Sequence, residues 1–224
     1  MPGSDPEPAT PGELLYAERP AAAAAEGLLV LHHGRGTDEH DLLALADALD
    51  PRRRLHVSAP RGPLVLAGRP GFHWYTVPRV GHPDPATFLR AQALLAAFHD
   101  ELWGRTGLGP QQTVLGGFSM GAVMSYALGL EASRPAPAGI LAFSGFLPSV
   151  PGWQPSTADR PELRAFIAHG RRDAVISVQF ARRARDLLQA AGLEVAYHES
   201  DGGHSVEPAH VGLAAGWLAG TLGP

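Results

Sequence analysis

The sequence of 224 residues contains no cysteine, no lysine and no asparagine, and two of these absences exclude particular chemistry. Without cysteine the chain has no disulfide, no thiolate nucleophile and no cysteine-ligated zinc or iron–sulfur site. All 18 basic residues are arginine, so a P-loop lysine, a Schiff-base lysine and a pyridoxal phosphate anchor are excluded as well. A covalent mechanism in this chain has to use another kind of nucleophile.

Charge and hydropathy argue against two further classes of protein. The net charge is −4 and the arginines are scattered, so the sequence has no basic footprint for a nucleic acid. No apolar run reaches the ~18 residues of a transmembrane helix, and the first residues resemble no secretory signal. We therefore expect a cytoplasmic protein with no nucleic-acid partner and no integral membrane association; the sequence leaves the oligomeric state open.

The 11 histidines invite a metal-binding interpretation, but their spacing does not support one. The H-E-x-x-H motif is absent, and His32, His33 and His40 do not have the spacing of metal ligands. We expect no metal site and no other cofactor.

The order of segments predicts an α/β fold. Residues 1–12 are rich in proline and are predicted to be a disordered tail, and residues 13–224 are predicted to form one domain. Strand-like segments alternate with helical ones, which indicates a mostly parallel central sheet with helices on both faces. The predicted strands lie near 13–18, 28–33, 55–59, 113–115, 140–143, 163–170 and 193–198. The predicted helices lie near 39–49, between a cap at Asp84 and an end at Gly104, and near 122–128, 177–191 and 208–220.

The segment Gly116-Gly-Phe-Ser-Met-Gly121 is the most informative stretch of the chain. It fits G-x-S-x-G, in which the serine occupies a sharp turn between a strand and a helix. Apolar residues 113–115 precede it and helix-forming residues 122–128 follow it, as that turn requires. Gly117 and Gly121 leave room for the turn, and the helix N-terminus favours negative charge. The pattern predicts Ser119 as a nucleophile.

A serine nucleophile needs a base, and the base needs an orienting acid. Asp173 follows the predicted strand 163–170, and His204 lies in a glycine-rich loop after the strand 193–198, so both can meet Ser119 at one sheet edge. Asp201 is a rival acid, although it would have to fold back within one loop. In the alternative without catalysis, Asp173 is a cap or turn residue and His204 a surface histidine.

An oxyanion hole for such a serine needs two backbone N–H groups. The residue after the nucleophile supplies one, which is Met120. The other comes from an earlier loop between a strand and a helix. His33-Gly-Arg-Gly36 comes after the apolar strand residues 28–31, and we predict that the amide of Arg35 is the second donor; the alternative is a simple glycine turn.

In their order along the chain, these motifs resemble the phospholipase/carboxylesterase family of α/β-hydrolases, which includes acyl-protein-thioesterase-like enzymes and small bacterial serine esterases. The resemblance covers most of residues 28–210 and implies an α/β-hydrolase fold, with Ser119 as nucleophile, His204 as base and Asp173 as orienting acid. Arg35 and Ser177 depart from the pattern of the thioesterase branch. The resemblance rests on His33–Gly36, Ala59–Pro63, Trp74-Tyr75, Gly117–Gly121, Ser144–Phe146, His169-Gly170 with Asp173, and Gly203-His204.

From these residues we expect a serine carboxylesterase that cleaves small-molecule esters with small or medium acyl chains through an acyl-enzyme on Ser119. Trp74, Tyr75 and Phe146 lie in loops near the predicted site, and they either line an acyl pocket or pack in the core. A thioesterase, lysophospholipase or peptidase with the same three residues is the alternative within this chemistry. A non-catalytic ligand-binding protein on a hydrolase fold is the alternative from another class.

Overall fold

The structure is a computed structural model that describes residues 14–158 and 160–223. The tail predicted at residues 1–12 lies outside the described residues. The strands are β1 (Tyr16–Arg19), β2 (Gly27–His32), β3 (Leu55–Pro60), β4 (Thr113–Phe118), β5 (Gly139–Phe143), β6 (Arg164–Gly170) and β7 (Glu194–Ser200). The α-helices are α1 (Leu43–Leu49), α2 (Pro85–Thr106), α3 (Met120–Gly129), α4 (Val178–Ala190) and α5 (Pro208–Leu222). Over the described residues, none of these helices is long and apolar enough to cross a membrane.

The strands form one sheet in the order β1-β3-β2-β4-β5-β6-β7, in which only β1 runs antiparallel to its neighbour. The predicted mostly parallel sheet is therefore confirmed. From β2 the chain first moves to β3 on one side and then crosses to β4 on the other side of β2. The loops that follow β2 and β4 consequently diverge, and they leave a crevice at the carboxyl edge of the sheet, where open α/β sheets bind ligands.

Alternate residues of β2 point to the two faces of the sheet, and helices cover both faces. Leu28 and Val30 pack in a cluster with residues of α2, α3 and α4, whereas Leu29 and Leu31 pack with residues of α1 and α5. All four side chains are buried, and each contributes about 1.5–3 kcal/mol of burial free energy. Burial on both sides explains why the strand is a continuous apolar run. The predicted helices on both faces are confirmed.

Helix α2 begins as predicted but ends later. The side chain of Asp84 accepts a hydrogen bond from the Thr87 N–H at 2.9 Å, and Pro85 occupies the first turn. The end predicted at Gly104 is wrong, because the helix continues to Thr106. Gly107 ends it in a left-handed conformation with φ 70°, and its N–H donates to the carbonyl of Trp103. A glycine inside a helix costs only about 1 kcal/mol, whereas the left-handed cap specifically favours glycine.

Helix α1 is shorter than the predicted segment 39–49 and starts at Leu43. The carboxylate of Asp38 accepts a hydrogen bond from the N–H of His40 at 2.9 Å. This local bond stabilises a turn that competes with a helical start.

A hydrogen-bonded network joins the end of β7 to β6 and α4. Glu199 accepts from Arg182 at 2.8 and 2.9 Å, from Arg171 at 2.9 Å and from the hydroxyl of Tyr197 at 2.7 Å. The hydrogen bonds from Arg182, and then those from Tyr197 and Arg171, lower the pKa of Glu199 to about 2. Arg171 also donates to Asp201 at 2.7 Å. The network therefore holds together the loops that follow β6 and β7.

Glu199→Gln should change how the stability of this protein depends on pH. Because folding depresses the Glu199 pKa, its contribution is complete above the unfolded value of ~4.3 and is lost as the pH falls towards about 2. We expect the free energy of unfolding of the wild type to fall between about pH 5 and pH 2, and this decline to be shallower in the variant. Urea denaturation across this range measures it. Glu162→Gln, at an exposed position, is the control; equal slopes in the wild type and Glu199→Gln would contradict the network's role.

Candidate active site

Ser119 occupies a strained turn between β4 and α3. Its backbone angles are φ 55° and ψ −118°, a region that costs an L-residue about 1–3 kcal/mol. The N–H of Ser119 donates to the carbonyl of Phe143 at 2.9 Å, which ties the turn to β5. A Cβ atom at Gly121 would clash with the carbonyl of His32, and one at Gly117 with the backbone of Gly121. The two glycines are therefore required by close backbone packing.

The structure brings Ser119, His204 and Asp173 into one hydrogen-bonded chain. His204 Nε2 lies 2.9 Å from Ser119 Oγ, and His204 Nδ1 lies 2.6 Å from Asp173 Oδ2. The rival acid Asp201 instead pairs with Arg171 at 2.7 Å and is exposed. With a proton on Nδ1 facing the carboxylate, Nε2 is free to accept the hydroxyl proton of Ser119. The geometry is that of a serine nucleophile, a base and an orienting acid.

Asp173 is buried, and its hydrogen bonds favour the ionised form. Its Oδ1 accepts from the N–H groups of Val175 and Ile176, both at 2.8 Å, and its Oδ2 faces His204. Burial alone raises the pKa of this carboxyl, but the hydrogen bonds from His204, Ile176 and Val175 outweigh burial and hold the pKa below its usual range. An ionised acid beside Nδ1 stabilises the positive charge that a base acquires when it takes a proton.

Met120, the predicted first oxyanion donor, directly follows Ser119 at the start of α3. Met120 is the first residue of α3, and the first N–H groups of a helix have no partner within it. The positive end of the helix dipole adds to this donor. Met120 and Ser119 line the same cavity, and in this kind of turn the N–H of the residue after the nucleophile is an oxyanion donor.

The amide of Arg35 is directed by hydrogen bonds to the preceding carbonyl. The carbonyl of Gly34 accepts from His33 Nδ1 at 2.7 Å and from Thr37 Oγ1 at 3.1 Å. Since His33 Nε2 accepts from the N–H of Gly62 at 2.8 Å, the proton of the neutral imidazole lies on Nδ1. Burial lowers the pKa of His33 and so favours this neutral form.

In a trans peptide the C=O and the following N–H point in opposite directions. The bonds that hold the Gly34 carbonyl therefore direct the Arg35 N–H to the other side of the loop, and Gly34 and Arg35 line the cavity that contains Ser119. Within the described part of the chain, the Arg35 N–H donates to no protein acceptor. An unpaired N–H at this place suits an oxyanion.

The cavity beside Ser119 has a volume of about 350 Å³ and mostly apolar walls. Of the three predicted pocket residues, Tyr75 and Phe146 line it. The structure corrects the prediction for Trp74, which is fully buried outside the lining and donates its Nε1–H to the carbonyl of His33 at 2.9 Å. Trp74 thus supports the loop of the proposed oxyanion hole from behind. The other apolar wall residues are Val77, Val80, Phe118, Met120, Val175 and Ile176.

Two residues next to the hydrogen-bonded chain were not predicted as site residues. His169 is buried below Asp173; its Nε2 donates to the carbonyl of Ile176 at 2.7 Å and lies 3.2 Å from Asp173 Oδ2. The ring of Phe118 lies against that of His204, with centroids 4.9 Å apart. Both belong to motifs that the sequence shows, His169-Gly170 and the turn around Ser119, but their contacts depend on the tertiary structure.

One group of side chains in the described residues has the spacing of a metal site. Asp38, Glu39 and His40 each offer a ligand atom there. Glu39, however, already forms a two-point ion pair with Arg61, whose Nε and Nη2 donate at 2.5 Å. This carboxylate is therefore committed to an arginine, and we assign no metal to the group.

The mostly parallel sheet and the strained serine turn after β4 define an α/β hydrolase. The chain belongs to the phospholipase/carboxylesterase family, whose model matches residues 18–221. It is 29% identical over 209 residues to acyl-protein thioesterase 1 of Neurospora crassa, with 83% of each chain covered.

Solved structures agree with this assignment. The structure of esterase PE8 is 31% identical, with a TM-score of 0.78, and the match covers 93% of this chain and 99% of that one. The carboxylesterase of Bacillus cereus is 25% identical, with a TM-score of 0.81 and coverage of 93% and 94%. The predicted α/β-hydrolase fold and the resemblance to the family are both confirmed.

The choice between the two candidate acids can be tested with matched substitutions. Asp173→Asn removes the charge beside His204 Nδ1 and favours the wrong tautomer, so it should lower kcat by up to ~10⁴-fold. Asp201→Asn removes a carboxylate that contacts Arg171 and not His204. It should lower kcat by less than about 3-fold, because exposed ion pairs have small effects. Steady-state hydrolysis of a p-nitrophenyl ester measures both. A large loss of kcat in Asp201→Asn together with a small loss in Asp173→Asn would reverse the assignment.

The oxyanion role of the Arg35 amide predicts a difference between two substitutions at one position. Arg35→Pro deletes the N–H and should lower kcat on a neutral ester by ~10²- to 10³-fold, the usual cost of one oxyanion donor. Arg35→Gln keeps the N–H, and its loss of kcat on the same ester should be far smaller. Thermal denaturation of both variants checks that the loop still folds. Equal losses of kcat in two folded variants would assign the role to the side chain.

Proposed function

We propose that this protein is a serine carboxylesterase that hydrolyses small-molecule esters with small or medium acyl chains through an acyl-enzyme on Ser119. The observation that carries the proposal is the hydrogen-bonded chain of Ser119, His204 and Asp173 at the wall of an apolar cavity. Membership of a family of esterases and thioesterases supports it.

The proposed acylation step begins at Ser119 Oγ. As Oγ attacks the ester carbonyl carbon, His204 Nε2 takes the hydroxyl proton, and the carbonyl oxygen becomes an oxyanion. The N–H groups of Met120 and Arg35 stabilise that oxyanion, and Asp173 stabilises the imidazolium. The tetrahedral intermediate then collapses: the C–O bond to the alcohol breaks, His204 gives its proton to the leaving oxygen, and the acyl group remains on Ser119.

The proposed deacylation repeats these roles with water. A water molecule that replaces the alcohol gives a proton to His204 Nε2 while its oxygen attacks the acyl carbon. The same two amides hold the second oxyanion. Its collapse breaks the bond to Ser119 Oγ, which regains the proton from His204, and the carboxylic acid is released.

The cavity supports a small or medium acyl chain. Its volume of about 350 Å³ lies at the lower end of the ~300–1,000 Å³ that is usual for ligand sites. Aliphatic and aromatic walls favour an apolar acyl group by burying it from water. A long lipid chain would have to extend beyond these walls.

A thioesterase is the second candidate function, because a similar curated protein from Neurospora crassa is an acyl-protein thioesterase. The same three residues could cleave a thioester by the same steps. A panel of p-nitrophenyl esters of rising acyl length, an acyl-CoA and a lysophospholipid separates these possibilities. We expect the highest kcat/KM on a short or medium oxygen ester; a maximum on the long-chain thioester would favour the second candidate.

Ser119→Ala should abolish turnover while leaving the fold intact. The loss should be ~10⁴-fold or more in kcat, because the chain has no cysteine to replace the nucleophile. A fluorophosphonate probe should label the wild type at Ser119, as shown by peptide mass spectrometry, and leave this variant unlabelled. Ser133→Ala, at an exposed serine outside the cavity, is the control. Near-normal turnover in Ser119→Ala, or folded wild type that resists the probe, would refute the proposal and favour a non-catalytic binding protein.

A further inference from the structure

A second groove opens beside the catalytic cavity. It has a volume of about 450 Å³ and shares three wall residues with the cavity: Arg35, Tyr75 and Val77. The cavity and the groove are therefore adjacent at these residues. Apart from Arg35, the groove is lined by the long loop between β3 and α2, which also carries Arg69.

The groove has a positive lining. Arg35 and Arg69 are both exposed, and no acidic residue among the described residues lines the groove. Burial, and then the positive charges of Arg35 and Arg69, lower the pKa of the nearby His73. Like charges gathered at one place repel each other and do not stabilise the fold.

An arginine with a structural role in the same region has a different environment. Arg61 forms its two-point ion pair with Glu39 and stacks on the ring of Phe72, with its Cζ 4.3 Å from the ring centroid. In the part of the chain that the structure describes, neither Arg35 nor Arg69 has a carboxylate within the 4.0 Å that defines an ion pair. Their guanidinium groups are therefore available to a ligand, for which arginine offers a fork of donors that matches carboxylate or phosphate.

The charges around the two spaces also set an orientation. Asp41 lines the catalytic cavity, and the protein as a whole has a net charge of −4. Arg35 lines both spaces, so the difference lies in the other two charges: an anionic group is repelled by Asp41 in the cavity and attracted by Arg69 in the groove. A substrate with one apolar and one anionic end would place the apolar end in the cavity and the anionic end in the groove.

We propose that the natural substrate of this esterase site is an ester that also carries an anionic group, a carboxylate or a phosphate, which Arg35 and Arg69 bind in the groove. The inference rests on the proposed function, because it names the substrate class of the same site. Arg35 then has two separate functions: its amide stabilises the oxyanion and its side chain selects the charge of the substrate.

Matched ester pairs test the proposal. Monomethyl glutarate against methyl pentanoate places the carboxylate in the acyl half, and butanoyloxyacetate against ethyl butanoate places it in the alcohol half. A butanoyl ester of phosphoethanol provides the phosphate. The measured quantity is the ratio of kcat/KM for the charged ester to that for its neutral partner. This ratio cancels any effect of a substitution on the fold or on the oxyanion, since both esters experience it equally.

We expect the wild-type ratio to exceed 1 for at least one pair. That pair identifies which half of the ester carries the anionic group and whether this group is a carboxylate or a phosphate. Arg35→Gln should lower that ratio by about 10-fold, as expected for losing one charged hydrogen-bonding partner, and Arg69→Gln should lower it by at least about 3-fold. Arg90→Gln removes the same charge from α2, outside both spaces, and should leave the ratio within about 2-fold, the effect of net charge alone.

The outcomes separate the two proposals. Neutral esters cleaved through Ser119 with ratios that Arg35→Gln and Arg69→Gln do not change would refute the anion site and leave the esterase standing. If no ester is cleaved, calorimetric binding to the Ser119→Ala variant still decides: in at least one of the two carboxylate pairs, the charged ester should bind more tightly than its neutral partner and lose that advantage in Ser119→Ala/Arg35→Gln. Equal binding of the charged and the neutral ester in both pairs would refute the anion site independently of catalysis.

Discussion

The close approach between the start of α3 and the end of β2 is the constraint on which the site depends. Gly121 lies against the carbonyl of His32, where no side chain fits, so β4 turns into α3 directly beside the loop that follows β2. The turn leaves Ser119 in a strained conformation that its bond to Phe143 helps to maintain. Because β2 and β4 flank the point where the strand order reverses, the same approach creates the crevice and places Ser119 beside Arg35.

The polar groups around this crevice are held in particular protonation states by their partners. Asp173 is buried yet favoured in its ionised form, because two backbone N–H groups and His204 donate to it. His33 is buried, forms no ion pair with a carboxylate of the described residues, and is favoured in its neutral form, in which one nitrogen donates and the other accepts. The ionised Asp173 can stabilise a positive charge on His204. The neutral His33 can hold a peptide group in one fixed direction. Both need the low mobility of a packed interior.

The differences between sequence-based prediction and structure have local physical causes. Gly104 and Gly107 both look like helix ends, and only the left-handed backbone of Gly107 distinguishes them. The start of α1 depends on one bond from the His40 N–H to Asp38, which competes with the helix. Trp74 and Tyr75 are adjacent in an irregular loop, and nothing in their identity shows that one supports the loop after β2 while the other faces the cavity.

The sequence by itself determined the family, the mostly parallel fold and the choice of Ser119, Asp173 and His204 as candidates, because apolar periodicity and glycine-dependent turns are local properties of a chain. Its preference for Asp173 over Asp201 rested on loop length and on the family resemblance. Only the tertiary structure decided that Asp201 pairs with Arg171, that His169 lies under Asp173, and that Arg35 and Arg69 share a groove. These relations join residues from separate loops, and distances between loops are set by the packing of the sheet and its helices.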